Sequence, residues 1–555
     1  MGKRMAKSIN KINQIRDGDL LIIFGLGITF TLVVFIFFAL LSLIIEGSNG
    51  NSLEISAGEI FSIIKFTLIQ SFLSVLFSLL LGLMVARALI YKSLPWLNSF
   101  LLSLSSVAFV VPTIVACIGI VKIWGGNGFL NEIKSFFQID RSELNLYGLF
   151  GILLAHIFFN TPLYLRVFYN SLLGIPENYL RNAEQLKISG WNYFYILEWP
   201  FLRPALPGLT GLVFLQCFTS FSIILMLGGG PASSTLEVAI YNAVRFEFNL
   251  NSAATLSIIQ ICICVFIIAL LRLFGNSKLI TIQTNVFSTP RRWVTKFSFL
   301  KTVSSLFWII LFLLFVLSPI LAIIYAGLNF DIIKFFFNIN ILNAIVTSIT
   351  LAISSSIMTI ILAWILAASI TSLTLNKSES AYISNVLKIN FINLIVILYI
   401  AVPAIVMGTG IFILLRDYVN YQILPIFIVI IANVLLSLPF AIHIIQSKMQ
   451  QLNLKHKRIC LSLGISGMNR FMKIDFPALR PQVGFAMGLS ACLSIGDLSV
   501  IALFGNQNFQ TLPWLLYQLM SSYRMKEAAS ISLLLLCLSL IFFYGIGKLI
   551  GGRNA

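Results

Sequence analysis

Charge is what this sequence has least of. Of 555 residues only 10% are Asp, Glu, Lys or Arg, whereas 59% are hydrophobic, 48 are Phe and the mean hydropathy is +0.97. A chain of that length with so little polar surface is excluded from being one or two soluble domains. Cysteine and histidine are scarce as well. Cys117, Cys217, Cys262, Cys264, Cys460, Cys492 and Cys537 lie mostly in apolar runs without metal-ligand spacing. Cys262 and Cys264 point to different sides of a helix, so the cysteines read as small apolar packing residues. His156, His443 and His456 form no ligand cluster, and His156, inside an apolar helix, reads as a packed or locally hydrogen-bonded residue. The pattern Gly-x-x-x-x-Gly-Lys-[Ser/Thr] is missing too, because Gly547-Lys548 lacks the upstream Gly and is followed by Leu. The chain thus has no phosphate-cradling loop of its own. No clustered catalytic set falls within the apolar runs, which argues against a membrane enzyme.

What is present is a series of long apolar stretches. A bilayer core needs about 20 apolar residues per helix, and twelve runs satisfy this: 20–45, 61–86, 97–121, 147–170, 205–228, 253–274, 304–327, 341–371, 389–415, 424–446, 482–505 and 529–550. They predict an all-α polytopic membrane protein. The net charge of +18 does not call for nucleic acid, since the basic residues sit in short segments that alternate in sidedness. With the N-terminus inside, Lys and Arg concentrate in the inner segments, the bias expected of an even number of spans with both termini cytoplasmic. The basic N-terminal segment precedes a run, Leu20–Ile45, too long for a signal-peptide core and followed by no A-x-A-like site, so it reads as an uncleaved first span.

The sequence also repeats itself. LKISGWNYFYILEWPFLRPALPG at Leu186–Gly208 returns as LGISGMNRFMKIDFPALRPQVG at Leu463–Gly484. At an offset of 277 residues, eleven of the 24 positions from Arg181 to Pro204 are identical to those from Arg458 to Pro481, and Pro162 falls on Pro439 and Gly228 on Gly505. Such agreement marks an internal duplication. Residues 1–274 form a first repeat, 275–303 a cytoplasmic linker carrying Pro290-Arg291-Arg292, and 304–555 a second repeat. Six spans return each repeat to its starting side, so the two are parallel, related by an axis along the membrane normal, with a pathway expected between them. Each polar passage, 176–204 and 449–481, follows the fourth span of its repeat on the cytoplasmic side. Arg181 to Ile188 is expected to form a short surface helix ended by Gly190, and Pro200 and Pro204 to re-aim the chain into the next span.

The two passages resemble the EAA loop of the membrane subunits of ATP-binding-cassette importers, in which E-A-A is followed three residues later by Gly and about nine residues on by a hydrophobic-Pro pair. The resemblance implies a type I importer permease fold and a loop helix that inserts in a groove of an ATPase subunit. Carried over residue by residue, the coupling positions are Arg181, Ala183, Lys187, Gly190, Phe194 and Pro200 in the first copy and Arg458, Gly464, Gly467, Phe471 and Pro477 in the second. Arg181 and Arg458 depart from the family's Glu, and Lys187 from its Gly. Three further stretches are similar to the fused permeases of bacterial thiamine and thiamine pyrophosphate importers: YGLFGILLAH at 147–156, LGGGP at 227–231 with the downstream LEVAIYNAV, and LSIGDLSVIALFGNQNFQTLPWLLYQLMSSYR at 493–524. Fused ferric-iron permeases share the duplicated plan and are the nearest alternative. A gradient-driven secondary transporter would share the 6+6 plan but would have no need of the duplicated loops.

That resemblance implies two copies of an ATPase subunit, which hold the ATP and Mg, an external thiamine-binding protein, a location in the bacterial inner membrane, and no cofactor or metal on this chain. Asp497 is singled out because a carboxylate inside a span costs about 2.5–3.5 kcal/mol and requires a partner or a wet cavity. It falls on Ser220 in the first copy. The two are candidate pathway positions, although related permeases of anion importers resemble this chain in carrying an acidic residue there, which favours a structural role. Gly228, Gly229, Gly230 and Pro231 form an outer turn where a binding protein would dock, or a simple helix-ending loop.

Overall fold

The computed structural model describes residues 2–48, 56–91, 95–126, 128–136, 145–230, 233–274, 299–328, 338–375, 382–416, 418, 424–463, 465, 467–507 and 509–552. Every regular element among them is helical. Eleven of these helices, against the twelve spans expected, are long and apolar enough to cross a membrane, and none of the eleven covers the ninth run, 389–415. All twelve apolar runs fall on helix, but several are interrupted. The third run is broken by Pro112 between Pro95–Val110 and Thr113–Trp124, and the ninth by Pro403 between Tyr382–Ala401 and Ala404–Leu415. Each proline is extended, with ψ 140° and 151°; lacking an N–H, it suits the start of the next helix. Most of the expected linker, 275–298, lies outside the described residues, and its last residues are helical, since Phe299 begins the helix Phe299–Leu328.

Two compact units form, and they do not follow the boundaries of the sequence repeats. Unit 1 comprises Met1–Gly50, Ile339–Trp514 and Cys537–Ala555; unit 2 comprises Asn51–Asn338 and Leu515–Leu536. The first helix of each repeat therefore packs among helices of the other repeat. In unit 1 the helix Gly2–Ser48 lies so close to Ala404–Leu415 that a Cβ on Gly410 would stand 2.6 Å from the Ala39 carbonyl oxygen. In unit 2 the helix Phe299–Leu328 meets Thr113–Trp124 in the same way, a Cβ on Gly119 standing 2.6 Å from the Pro319 carbonyl oxygen. Helices in lipid gain little from hydrophobic burial against one another and associate through close packing at small residues, which is what both glycines permit. Polar contacts reinforce the unit 1 seam: Ser42 Oγ donates to the Gly410 carbonyl at 3.0 Å, Ser369 Oγ to the Leu21 carbonyl at 2.6 Å, and Arg416 pairs with Glu46 at 3.4 Å.

Each unit has a polar interior built on corresponding helices. In unit 2, Gln70 Nε2 donates to the Cys217 carbonyl at 3.0 Å, His156 Nδ1 lies 2.8 Å from Ser74 Oγ, and Asn160 Nδ2 lies 3.2 Å from Cys217 Sγ. In unit 1, Asn433 Nδ2 donates to Ser494 Oγ at 2.8 Å, Ser355 Oγ to Ser494 Oγ at 2.9 Å, and Thr359 and Ser437 share a 2.9 Å bond. At the repeat offset, His156 falls on Asn433 and Cys217 on Ser494. Polar groups at membrane depth must be satisfied within the protein, and these bonds fasten three helices of each repeat together.

Candidate functional site

The two repeat passages share their later backbone but begin differently: the first opens on a separate helix after the break at Gly174–Pro176, whereas the second continues the helix Leu424–Leu463 without interruption. In the first, the helix Glu177–Gln185 buries Ala183 against the protein and turns Arg181 outward, where it pairs with Glu177 at 2.7 Å. Its end is closed by two bonds, from Lys187 N to the Glu184 carbonyl at 3.0 Å and from Ile188 N to the Ala183 carbonyl at 2.9 Å. This is a Schellman closure, whose pivot residue must be left-handed and is usually Gly. Here the pivot is Lys187, with φ 50°. The helix thus ends at Lys187 rather than at Gly190 as expected from sequence; Gly190, φ 64°, instead opens the next helical turn, Gly190–Tyr193. In the second copy Gly464 lies outside the described residues, as does the Arg458 side chain. Ile465 N nevertheless bonds the Cys460 carbonyl at 3.0 Å, the counterpart of the Ile188 bond, and Gly467 has φ 59°.

Both passages then enter a π-helical turn, Phe194–Glu198 in one and Phe471–Asp475 in the other, at the repeat offset. Pro200 and Pro477 follow directly, each the second residue of the helical segment that comes next. The chain stays helical through both prolines, each of which stands early in its segment, where a missing amide is tolerated.

The passages are seated by different chemistry. Arg87, on Ala57–Tyr91, places Nε 2.8 Å from Glu198 Oε2, and the Tyr91 hydroxyl donates to Glu198 Oε1. The Arg87 guanidinium also lies 5.1 Å above the Phe194 ring. In the second copy the place of Arg87 is taken by Trp364, whose ring meets Phe471 edge-on at 5.2 Å and Phe476 at 6.3 Å. Asp475, at the place of Glu198, pairs with Arg470 of its own passage at 3.2 Å, and Arg470 also donates to Asn453. The sequence reading missed Arg87, Tyr91, Glu198 and Trp364; the signal available was an acidic residue kept at 198 and 475 inside the duplicated passage.

Large apolar side chains are left on the outer surface of the passages: Leu186, Trp191, Tyr195 and Ile196 in the first, Leu463 and Met472 in the second. Trp191 is 75% exposed.

Asp497 and Ser220 sit in matching breaks. The helix Leu206–Phe218 stops before Ser222–Leu227, and Phe476–Ile495 stops before Ser499–Phe504. Asp497 Oδ1 accepts a bond at 3.0 Å from the amide of Ser499, the first residue of the second segment, two positions on. Its Oδ2 is buried without a hydrogen-bond partner. The carboxylate thus has a structural duty on one oxygen and an unused acceptor on the other.

In the glycine turn, Gly148 N bonds the Leu227 carbonyl at 2.7 Å, and a Cβ on Gly229 would lie 2.7 Å from Tyr147 Cβ. Gly229 and Gly230 are left-handed, with φ 73° and 135°, whereas Gly228 is helical; Pro231 lies outside the described residues. Two short helices stand beyond these turns, Leu236–Arg245 and Leu512–Ser521. Each has its first amide capped by a hydroxyl of its unit's long helix: Leu236 N by Thr67 Oγ1 at 3.3 Å, and Leu512 N by Ser348 Oγ at 2.8 Å. No group of His, Cys, Asp and Glu able to hold a metal occurs among the described residues.

Comparison with known proteins accords with this geometry. Residues 380–551, which include the second passage, match the family described as binding-protein-dependent transport system inner membrane component. The thiamine transport system permease protein ThiP of Brucella suis biovar 1 (strain 1330) is 34% identical over 512 residues, 91% of either chain. That of Escherichia coli (strain K12) is 33% identical over 492 residues, 89% of either chain, and that of Haemophilus influenzae 35% over 480, 86% of either chain.

Proposed function

We infer the role of this chain from the family to which it belongs, the thiamine transport system permease proteins: it is the permease of an ATP-driven thiamine importer of the inner membrane. The observation that carries this reading is relatedness over about nine-tenths of the chain, and the second passage lies within the matched permease segment. The ferric-iron reading has no such support.

The finer reading has the two repeats, 1–274 and 304–555, each presenting its passage to one copy of an ATPase subunit at the cytoplasmic face, with both termini on that side. ATP and Mg are held by those subunits, and an external binding protein delivers thiamine or a thiamine phosphate. The duplicated π turns and the exposed apolar side chains of both passages support paired docking, because two like surfaces suit two copies of one partner. A gradient-driven transporter leaves that duplication unexplained. Asp497 and Ser220 are the candidate pathway positions, the Asp497 carboxylate being opposite in charge to the thiazolium cation, and Gly228 to Pro231 the candidate binding-protein docking turn. The chain itself binds no cofactor and hydrolyses no nucleotide in this reading.

The test is ATP hydrolysis by the chain reconstituted with its ATPase in vesicles. Stimulation by the thiamine-loaded binding protein supports the assignment, and stimulation by an iron-loaded one overturns it.

A further inference from the structure

One carboxylate in the first passage is gripped from two points of a neighbouring span. Glu198, the last residue of the π turn, is 1% exposed. Arg87 holds one of its oxygens and Tyr91 the other. Arg87 and Tyr91 stand one turn apart on the same face of Ala57–Tyr91, so the carboxylate is held there by one hydrogen bond, from Tyr91, and one charge contact, with Arg87. The same guanidinium covers Phe194, the first residue of the π turn. Both ends of the turn are thereby tied to one helix.

A buried ion pair adds little net stability compared with apolar packing, yet removing one partner strands the other charge. Such a pair is poor as glue and effective as a fixed register. Ring packing, as between Trp364 and Phe471, follows from apolar contact that is largely non-directional and permits sliding. In the second passage the corresponding acid, Asp475, turns to Arg470 of its own segment, so no ion pair crosses from it to the long helix Ile339–Leu375 among the described residues.

We propose that Glu198 is a positioning residue for transport: through Arg87 and Tyr91 it latches the first passage to the helix Ala57–Tyr91, so that displacement of the docking helix Glu177–Gln185 moves that span as a rigid body. The second passage is seated by aromatic contact and slips. This rests on the reading of the passages as ATPase-docking loops.

The full chain, assembled with its ATPase in lipid vesicles, provides the test. In Glu198→Gln the amount of assembled complex falls by less than its stimulation does. Its stimulation by thiamine-loaded binding protein falls about fivefold, the size expected when one residue of a coupling network is removed. Amide hydrogen exchange over 190–202 rises in the same preparation, and Glu198→Asp, which restores the charge, recovers at least half of the stimulation. Parental stimulation in Glu198→Gln overturns the latch. So does a loss of stimulation that only matches a loss of assembled complex, since that is a folding defect. A parental complex that ignores thiamine-loaded binding protein overturns the transport reading instead, and the coupling role with it.

Discussion

Gly190 and Gly467 stand 277 residues apart and hold the same left-handed backbone, φ 64° and 59°. A side chain at Gly190 would meet nothing within 4 Å, so the glycine is required by backbone conformation and not by space. Gly190→Ala is expected to lower stability by about 1 kcal/mol, the cost of a left-handed non-glycine residue. Thermal unfolding of the purified chain in detergent measures it.

Lys187 carries that cost already, at φ 50°. Lys187→Gly is expected to raise the unfolding temperature by relieving about 1 kcal/mol of left-handed strain, whereas Lys187→Ala gives no gain. Equal unfolding temperatures for the Gly and Ala variants would show that the pivot is unstrained.

Gly410→Ala presses a methyl group against the Ala39 carbonyl, and Gly119→Ala does the same at the Pro319 carbonyl. Each is expected to lower stability by about 1–3 kcal/mol through overpacking. Gly27→Ala, in the same first helix but with nothing within 4 Å of the added methyl, is expected to be neutral or to stabilise by up to about 1 kcal/mol. The yield and unfolding temperature of the folded chain separate the three. A Gly410→Ala variant as stable as Gly27→Ala would contradict the exchange of first helices between repeats.

The apolar helices and the duplication were legible because apolar run length and exact residue matches survive in one sequence. Exchange of the first helices was not, since packing partners leave no mark on run length. Its trace is subtle: Val111-Pro112 to Gly119-Ile120 and Val402-Pro403 to Gly410-Ile411 share a pattern at a different offset from the passages. The left-handed Lys187 was hidden because the residue type argues against it, although the resemblance marks that position as the glycine of the loop. Glu198 and Asp475 matched only as acids, and their partners, Arg87 and Arg470, come from different segments, which sequence spacing cannot reveal.

Trp191 is exposed beside Tyr195 and Ile196. If the first passage enters an ATPase groove, Trp191→Ala is expected to weaken ATPase association by about 2 kcal/mol, the scale of a buried aromatic anchor at an interface, without changing the amount of chain in the membrane. Co-purification of the ATPase reports it; unchanged recovery would place the docking surface elsewhere.

Asp497→Asn keeps an oxygen for the Ser499 amide and removes only the charge, whereas Asp497→Ala also removes that hydrogen bond, which is worth about 1 kcal/mol. Thiamine uptake is expected to fall in both variants, and the amount of folded chain only in the alanine variant. Parental uptake by Asp497→Asn would confine the residue to its structural duty.

The most direct test of the whole account is thiamine accumulation by vesicles containing the chain, with its ATPase on the ATP-facing side and thiamine-bearing binding protein on the other. The account predicts uptake that requires ATP, the ATPase and the binding protein together. Thiamine uptake driven by an ion gradient in vesicles that contain the chain alone would contradict it.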